Sequence, residues 1–195
     1  MVTTDLGKFA EDPANPGSPW NQGGNGGIAQ DVACIELKTD ADIMRFCKDN
    51  TIALVVIGAE QPLVEGLADT LEANGLAVFG PSKKAAQLEA SKGYMKHICA
   101  KYNIPTAAYG YFIDEFSAKK FLEGKTYPIV IKADGLAAGK GVVIAQDKEE
   151  AHETLSGMFA GQFGASGKAV VIEEFLDGEE VSFFALCDGE TTVEF

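Results

Sequence analysis

Residues 52–57 (IALVVI) are apolar at every position, and this run constrains the chain more than any other stretch. A strand on a surface alternates apolar and polar side chains. An unbroken apolar run of strand length suits a strand buried on both faces, as in a parallel sheet. Gly58 ends the run. Leu63, Val64, Leu67 and Leu71 follow at helical spacing, Asn74-Gly75 stops that helix, and residues 76–79 form a second short strand closed by Gly80-Pro81. This strand–helix–strand unit predicts an α/β arrangement with a parallel sheet. Just upstream, Asp40 is placed to cap a helix whose apolar face carries Ile43, Met44, Phe46 and Cys47.

Downstream the grammar changes. Ser82 begins a long helix with Leu88, Met95, Ile98, Cys99 and Tyr102 as core positions, and Asn103-Ile104-Pro105 breaks it. Beyond that point strands are expected at 107–112, 128–133, 141–145, 169–174 and 180–187, with helices at 115–123 and 147–160. A second domain therefore starts near Ile104. Asp188-Gly189 reads as the two-residue turn of a closing hairpin. Residues 1–27 differ from the rest. Pro13, Pro16, Pro19 and the run Gly23-Gly24-Asn25-Gly26-Gly27 interrupt any period, which predicts an irregular or disordered lead.

Charge and composition exclude several functions. The 195 residues carry a formal net charge of −13 and are 46% hydrophobic. Such an acidic chain is a poor nonspecific binder of DNA or RNA, which requires Lys and Arg against phosphates, although a small anion needs only a few local donors. No apolar run approaches the roughly 20 residues that span a bilayer. The N-terminus holds Asp5, Glu11 and Asp12 with no apolar core segment, so no secretory signal or clear transit peptide is expected. The expected location is cytoplasmic, with a plastid the alternative in a eukaryote. Cys34, Cys47, Cys99 and Cys187 form no CxxC pair, and only His97 and His152 could assist them, which points to reduced thiols rather than zinc or disulfides.

Four segments carry candidate chemistry. Residues 127–145 (YPIVIKADGLAAGKGVVIA) run from a strand ending at Lys132, through Gly135, Leu136, Ala137, Ala138, Gly139, Lys140 and Gly141, into another strand. Small side chains let backbone N–H groups approach an anion closely, and two lysines bracket the loop, as a phosphate chain would require. The spacing is not that of a Walker A loop, and a glycine-rich hairpin with surface lysines is the alternative. Residues 170–184 (VVIEEFLDGEEVSFF) place Glu173 and Glu174 at a strand end, then Phe175, Leu176 and, past a turn, Glu180. Neighbouring strand side chains point to opposite faces, so one glutamate of the pair can face a given pocket. A solvated acidic face is the alternative there. Lys92 lies on the long helix, where a surface role is the plainer reading. Glu60 follows the buried strand in Gly58–Leu63, where open α/β sheets bind ligands, or simply belongs to a polar connection.

Together PSKKAAQLEASKGYMK (81–96), YNIPTAAY (102–109), IVIKADGLAAGKGVV (129–143) and IEEFLDGEEVSF (172–183) resemble the phosphoribosylamine–glycine ligase family, the glycinamide ribonucleotide synthetases of the ATP-grasp superfamily. The likeness runs from about residue 25 to 190, and the words KADGLAAGKG and EEFLDGEE are the most specific part of it. It implies an α/β chain: a partial, Rossmann-like parallel-sheet domain at 28–103, an ATP-grasp lobe with a mostly antiparallel sheet at 104–187, and the start of the remaining domain at 188–195. It further implies ATP-dependent joining of glycine to 5-phosphoribosylamine in purine biosynthesis, through a glycyl phosphate.

Carried over by motif, Lys92 and Lys132 contact ATP phosphates, with Lys132 the catalytic candidate, and 135–141 is a flap. Glu173, Glu174, Phe175 and Leu176 line the adenine pocket, Glu180 takes the ribose, and Glu60 lies near phosphoribosylamine. The ligands for Mg2+ or Mn2+ are expected beyond Phe195, which implies an incomplete chain, inactive as a ligase in isolation. A stand-alone ATP-binding module and another ATP-grasp carboxylate–amine ligase are the alternatives. Two departures accompany the likeness: no GGREHA-like opening loop is visible and residues 1–24 look unrelated, while Ala59 stands where proline is usual.

Overall fold

Two larger sheets and a hairpin organise the chain in the computed structural model, which describes residues 2–4, 11–12, 15–22, 33–35, 37, 39–136, 141–162 and 168–194, those up to 34 by backbone alone. The first sheet contains β1 (Val2–Thr4), β2 (Glu11–Asp12), β3 (Asn15–Gln22), β4 (Ala33–Ile35), β5 (Val55–Ile57) and β6 (Val78–Phe79). β1 pairs in parallel with β3 and β5, β3 with β4, and β5 with β6. β2 alone runs antiparallel, against β3. The parallel sheet expected from the apolar run is thus present.

Within 1–27 the described residues depart from the irregular lead expected there, since they form β1, β2 and β3, while the glycine run 23–27 lies outside the described residues. Pro16 and Pro19 hide the strand from a reading by period. The parallel ladder engages β3 at Trp20–Gln22, past both prolines, where every residue retains its N–H donor.

The helices of this part are α1 (Asp40–Asp49), α2 (Glu60–Glu65), α3 (Leu67–Ala73) and α4 (Lys83–Ala90). Thr39, rather than Asp40, caps α1. Its hydroxyl accepts the Asp42 N–H at 3.1 Å, and Asp42 returns a bond from the Thr39 N–H at 3.1 Å, a capping box. The single helix expected across Leu63–Leu71 is two, because Gly66 adopts φ +99°, a conformation few other residues tolerate. Ile43, Cys47, Val55, Ile57, Leu63, Leu67 and Leu71 make one core.

The second sheet is antiparallel in the order β7 (Tyr109–Phe112), β10 (Val170–Glu174), β8 (Ile129–Ala133), β9 (Val142–Ala145). Along β8, burial alternates. Ile129, Ile131 and Ala133 join Val170 and Ile172 of β10 against α6 (Glu115–Phe121) and α7 (Lys148–Phe159), which contribute Ala118, Ala151, Leu155 and Met158. This is a second core, and truncating a fully buried member such as Ile172 to alanine costs about 2–5 kcal/mol.

The opposite face of the sheet carries Lys132, Val171 and Glu173, and α5 (Lys92–Tyr102) packs over β10 there. The long helix expected from Ser82 is therefore interrupted. Ser91 is extended at φ −134°, ψ 114°, ends α4 and caps α5, its hydroxyl accepting the Tyr94 N–H at 3.0 Å. The Asp134 bonds and the Lys96–Glu173 pair tie α5 to the second sheet, although the change of sequence grammar falls later, near Ile104. Leu88 and Tyr102, expected in the core, are 47% and 61% exposed.

A hairpin of β11 (Ala185–Cys187) and β12 (Thr192–Glu194) follows. Cys187 pairs with Thr192, and Asp188 Oδ1 accepts the N–H groups of Glu190 and Thr191, so the tight turn centres one residue later than Asp188-Gly189. Cys47, Cys99 and Cys187 are free thiols.

Candidate functional site

The antiparallel register builds the central cluster. Val171 stands opposite Lys132 and Glu173 opposite Val130, so Lys132 and Glu173 are diagonal neighbours on one face. Lys132 Nζ lies 3.0 Å from Glu173 Oε2, and Lys96 Nζ of α5 lies 3.2 Å from the same oxygen. Lys96 and Glu173 are buried, whereas the Lys132 side chain is 27% exposed. Glu173 Oε1 is buried with no partner among the described residues. On the same face, β9 leaves Val142 and Ile144 each 45% exposed beside the Lys132 strand, since Val142 pairs with Lys132 and Ile144 with Val130. Among the described residues the result is an apolar shelf beside the partly exposed Lys132 side chain.

At the end of β8 the chain turns into the small-residue loop. Asp134 gathers donors from three elements: the Lys92 N–H at 2.6 Å, the Gly93 N–H at 3.3 Å, the Ser91 hydroxyl at 3.1 Å, the Tyr111 hydroxyl at 3.2 Å and the Gly135 N–H at 3.1 Å. Burial, then the negative charge of Asp134 and the hydrogen bond to it, raise the Tyr111 hydroxyl above its ordinary value. Lys92 Nζ donates to the Gly135 carbonyl at 2.9 Å. Gly135 has φ +102°, which its lack of a Cβ allows. The loop base closes where the Ala133 N–H donates to the Gly141 carbonyl at 2.7 Å.

These contacts bring together Lys92, Lys132, Gly135, Gly141 and Glu173 of the residues singled out from sequence. Leu136 continues the loop, half-buried. Ala137, Ala138, Gly139 and Lys140 lie outside the described residues. Glu174 points its carboxylate elsewhere: Oε1 accepts the Ala108 N–H at 2.9 Å while its own N–H donates to the Ala108 carbonyl at 2.9 Å. Glu173, Glu174 and Phe175 line a cleft of about 480 Å³ together with Tyr109, Phe121, Tyr127 and Ile129. Leu176 is 65% exposed and does not line it. Glu180 is exposed in the stretch between β10 and β11. Glu60 is the exposed first residue of α2, on the other core. A groove of about 770 Å³ lies between Phe79-Gly80-Pro81 and the hairpin, and Glu60 does not line it.

Sequence reasoning missed Lys96 and Asp134. Both stand inside the quoted words, and Lys96 shares a helix face with Lys92 at i, i+4. Only the register of β8 and β10 reveals that Lys96 meets Glu173.

Among the described residues, no three His, Cys, Asp or Glu side chains gather to hold a metal ion, and no helix is long and apolar enough to cross a membrane.

Residues 90–195 match the family model described as phosphoribosylglycinamide synthetase, ATP-grasp (A) domain, and residues 18–89 match phosphoribosylglycinamide synthetase, N domain. A phosphoribosylamine–glycine ligase of Mesorhizobium japonicum is 55% identical over 190 residues, which cover 97% of this chain and 43% of that protein. One from Brucella melitensis is 54% identical over 172 residues, covering 87% and 40%. The crystal structure of the Thermotoga maritima phosphoribosylamine–glycine ligase superposes with a TM-score of 0.72 at 37% identity, covering 88% of this chain and 41% of that one. The chain thus spans less than half the length of these relatives. Coverage of 97% leaves too few residues over for 1–24 to be unrelated, which corrects that expectation.

Proposed function

The chain belongs to the phosphoribosylglycinamide synthetase family, and on that premise we propose that it carries the nucleotide-binding part of an ATP-dependent ligase that joins glycine to 5-phosphoribosylamine. In that reaction a glycine carboxylate oxygen attacks the γ-phosphorus of ATP, and ADP leaves. The amine nitrogen of phosphoribosylamine then attacks the acyl carbon of the glycyl phosphate. Phosphate departs, the nitrogen gives up a proton to solvent, and the amide is glycinamide ribonucleotide. The proposed compartment is the cytoplasm.

Phosphoryl transfer needs little covalent help from a protein. It needs the phosphates held in line and their charge neutralised. Lys132 serves that purpose from a strand paired on both sides, so its ammonium meets a phosphate oxygen with little added ordering cost. Lys92 joins it from the first turn of α5, near enough to the loop to bond Gly135. Loop residues 135–141 cover the phosphates with backbone N–H groups. Glu173, Glu174 and Phe175 line the adenine pocket, Glu174 through its backbone because its carboxylate is engaged with Ala108, and Leu176 reaches adenine from the exposed stretch that follows. Glu180 takes the ribose, and Glu60 contacts phosphoribosylamine. Magnesium or manganese would enter with ATP and, when bound, would neutralise part of the phosphate charge.

The observation that carries this reading is the partly exposed Lys132 side chain beside the apolar shelf of Val142 and Ile144, just before the small-residue loop. Titration calorimetry of the chain with MgATP tests it. Saturable binding that Lys132→Ala weakens supports the reading, whereas a folded chain without measurable affinity for MgATP overturns it.

A further inference from the structure

The ammonium of Lys96 has no part in the reaction proposed above. It is 1% exposed, and lysine is almost never so buried unless paired. Lys96 Nζ donates to Thr106 Oγ1 at 2.8 Å and to the Ala107 carbonyl at 3.2 Å, lies 3.2 Å from Glu173 Oε2, and stands 5.3 Å from the centre of the Tyr109 ring. The same Glu173 oxygen holds Lys132 at 3.0 Å. One carboxylate therefore faces two ammoniums, and the group carries a single net positive charge. Only the Lys132 end reaches solvent. Lys92 Nζ donates to the Gly135 carbonyl and Asp134 accepts backbone N–H groups of α5, so both are engaged away from Glu173 and Lys132.

Without Lys96, Glu173 and Lys132 would neutralise each other, and an approaching anion would meet a dipole instead of a charge. We propose that Lys96 is a positioning residue that occupies Glu173, so that Lys132 keeps an uncompensated positive charge for an anionic ligand. The proposal rests on the reading of Lys132 as a phosphate contact.

Inorganic tripolyphosphate probes this charge without an adenine ring. Its affinity is measured by calorimetry for the chain, for Lys96→Met, for Glu173→Gln, for the double variant Lys96→Met/Glu173→Gln and for Lys132→Ala. Thermal melts and circular dichroism establish which variants fold. Lys96→Met is expected to weaken tripolyphosphate about tenfold, the scale of removing one charge within about 10 Å at an effective dielectric near 20. The double variant restores the net charge and should return the affinity to within about twofold of the original. A purely structural Lys96 would shift the melting temperature of both variants and leave the affinity of the folded protein alone.

Unchanged affinity in folded Lys96→Met, or a double variant as weak as Lys96→Met, overturns the proposal. Where Lys96→Met does not fold, Glu173→Gln decides: it raises the local charge by one, and affinity that fails to rise overturns the proposal. Lys132→Ala separates the two readings. If it leaves tripolyphosphate affinity unchanged, or if the unsubstituted chain does not bind the probe, the phosphate reading itself fails and this one falls with it.

Discussion

Asp134 Oδ1 accepts the backbone N–H of Lys92 at 2.6 Å and so ties the loop after β8 to the first turn of α5. The same carboxylate holds Gly93, Ser91, Tyr111 and Gly135. Helix α5 begins with its free N–H groups turned to a negative charge supplied from another element, an arrangement favoured by the helix dipole. Asp134→Ala removes the charge and all five acceptor contacts. We expect a loss of about 1–3 kcal/mol in denaturant unfolding, with faster hydrogen exchange at the Gly93 and Tyr94 amides. Unfolding midpoints and exchange rates equal to those of the parent would show that Asp134 does not anchor the helix.

Tyr111 gives this anchor a pH dependence at the alkaline end. Burial, then the Asp134 charge and the hydrogen bond, raise its hydroxyl above the ordinary 10.0. The folded protein thus keeps this proton longer than the unfolded chain does. The stabilisation is fully present below about pH 10 and falls as pH rises from there through the folded value. Tyr111→Phe cannot lose it in that window. The difference in stability between parent and Tyr111→Phe, followed by urea unfolding from pH 8 to 11, should shrink above pH 10. A constant difference across that range would contradict the assignment.

Much of this architecture is legible in the sequence for a physical reason. Residues 52–57 and 129–133 announce β5 and β8 because a buried face demands apolar side chains at the period of the strand. The helices expected at 115–123 and 147–160 are present as α6 and α7, and each is capped locally, Asp114 and Asp147 accepting the N–H three residues on. The breaks at Gly66 and Ser91 are weaker signals. A glycine or serine within an apolar helical pattern is tolerated as often as it interrupts, and the deciding partner of Ser91, Asp134, is 43 positions away. Lys96 is the extreme case. Its side chain reads as solvated until the β8–β10 register brings Glu173 to it. In the site, residue types and strand ends were readable, while the pairing of charges was not.

Gly93 supplies a test that runs against helix propensity. Alanine in a helix interior is normally about 1 kcal/mol better than glycine. A Cβ at Gly93, however, would clash with the Tyr111 ring at Cε2 and Cδ2. The ring can yield only by leaving Asp134. Gly93→Ala is therefore expected to destabilise by about 1–2 kcal/mol; the cost should be smaller in Tyr111→Phe, whose ring has no hydroxyl to hold on Asp134, and smallest in Tyr111→Ala. A Gly93→Ala protein as stable as the parent, by chemical denaturation, would mean the ring moves freely.

The two lysines that bracket the loop should differ in weight. Lys132 lies on β8 between β9 and β10, and its ammonium is already held 3.0 Å from Glu173. Its position is therefore set before any ligand arrives. Lys140 lies outside the described residues, and the sequence places it in a run of small side chains rather than on a strand, which is expected to pre-set its ammonium less than a paired strand sets that of Lys132. A charge-assisted phosphate contact contributes roughly 1.5–3 kcal/mol, about ten- to a hundredfold in affinity, and a contact that must first be ordered contributes less. Lys132→Ala should accordingly weaken MgATP binding more than Lys140→Ala, by about tenfold or more between the two, while both variants keep the melting temperature within a few degrees. Equal losses, or a larger loss at Lys140, measured by calorimetry on folded protein, would move the principal phosphate contact from the strand to the loop.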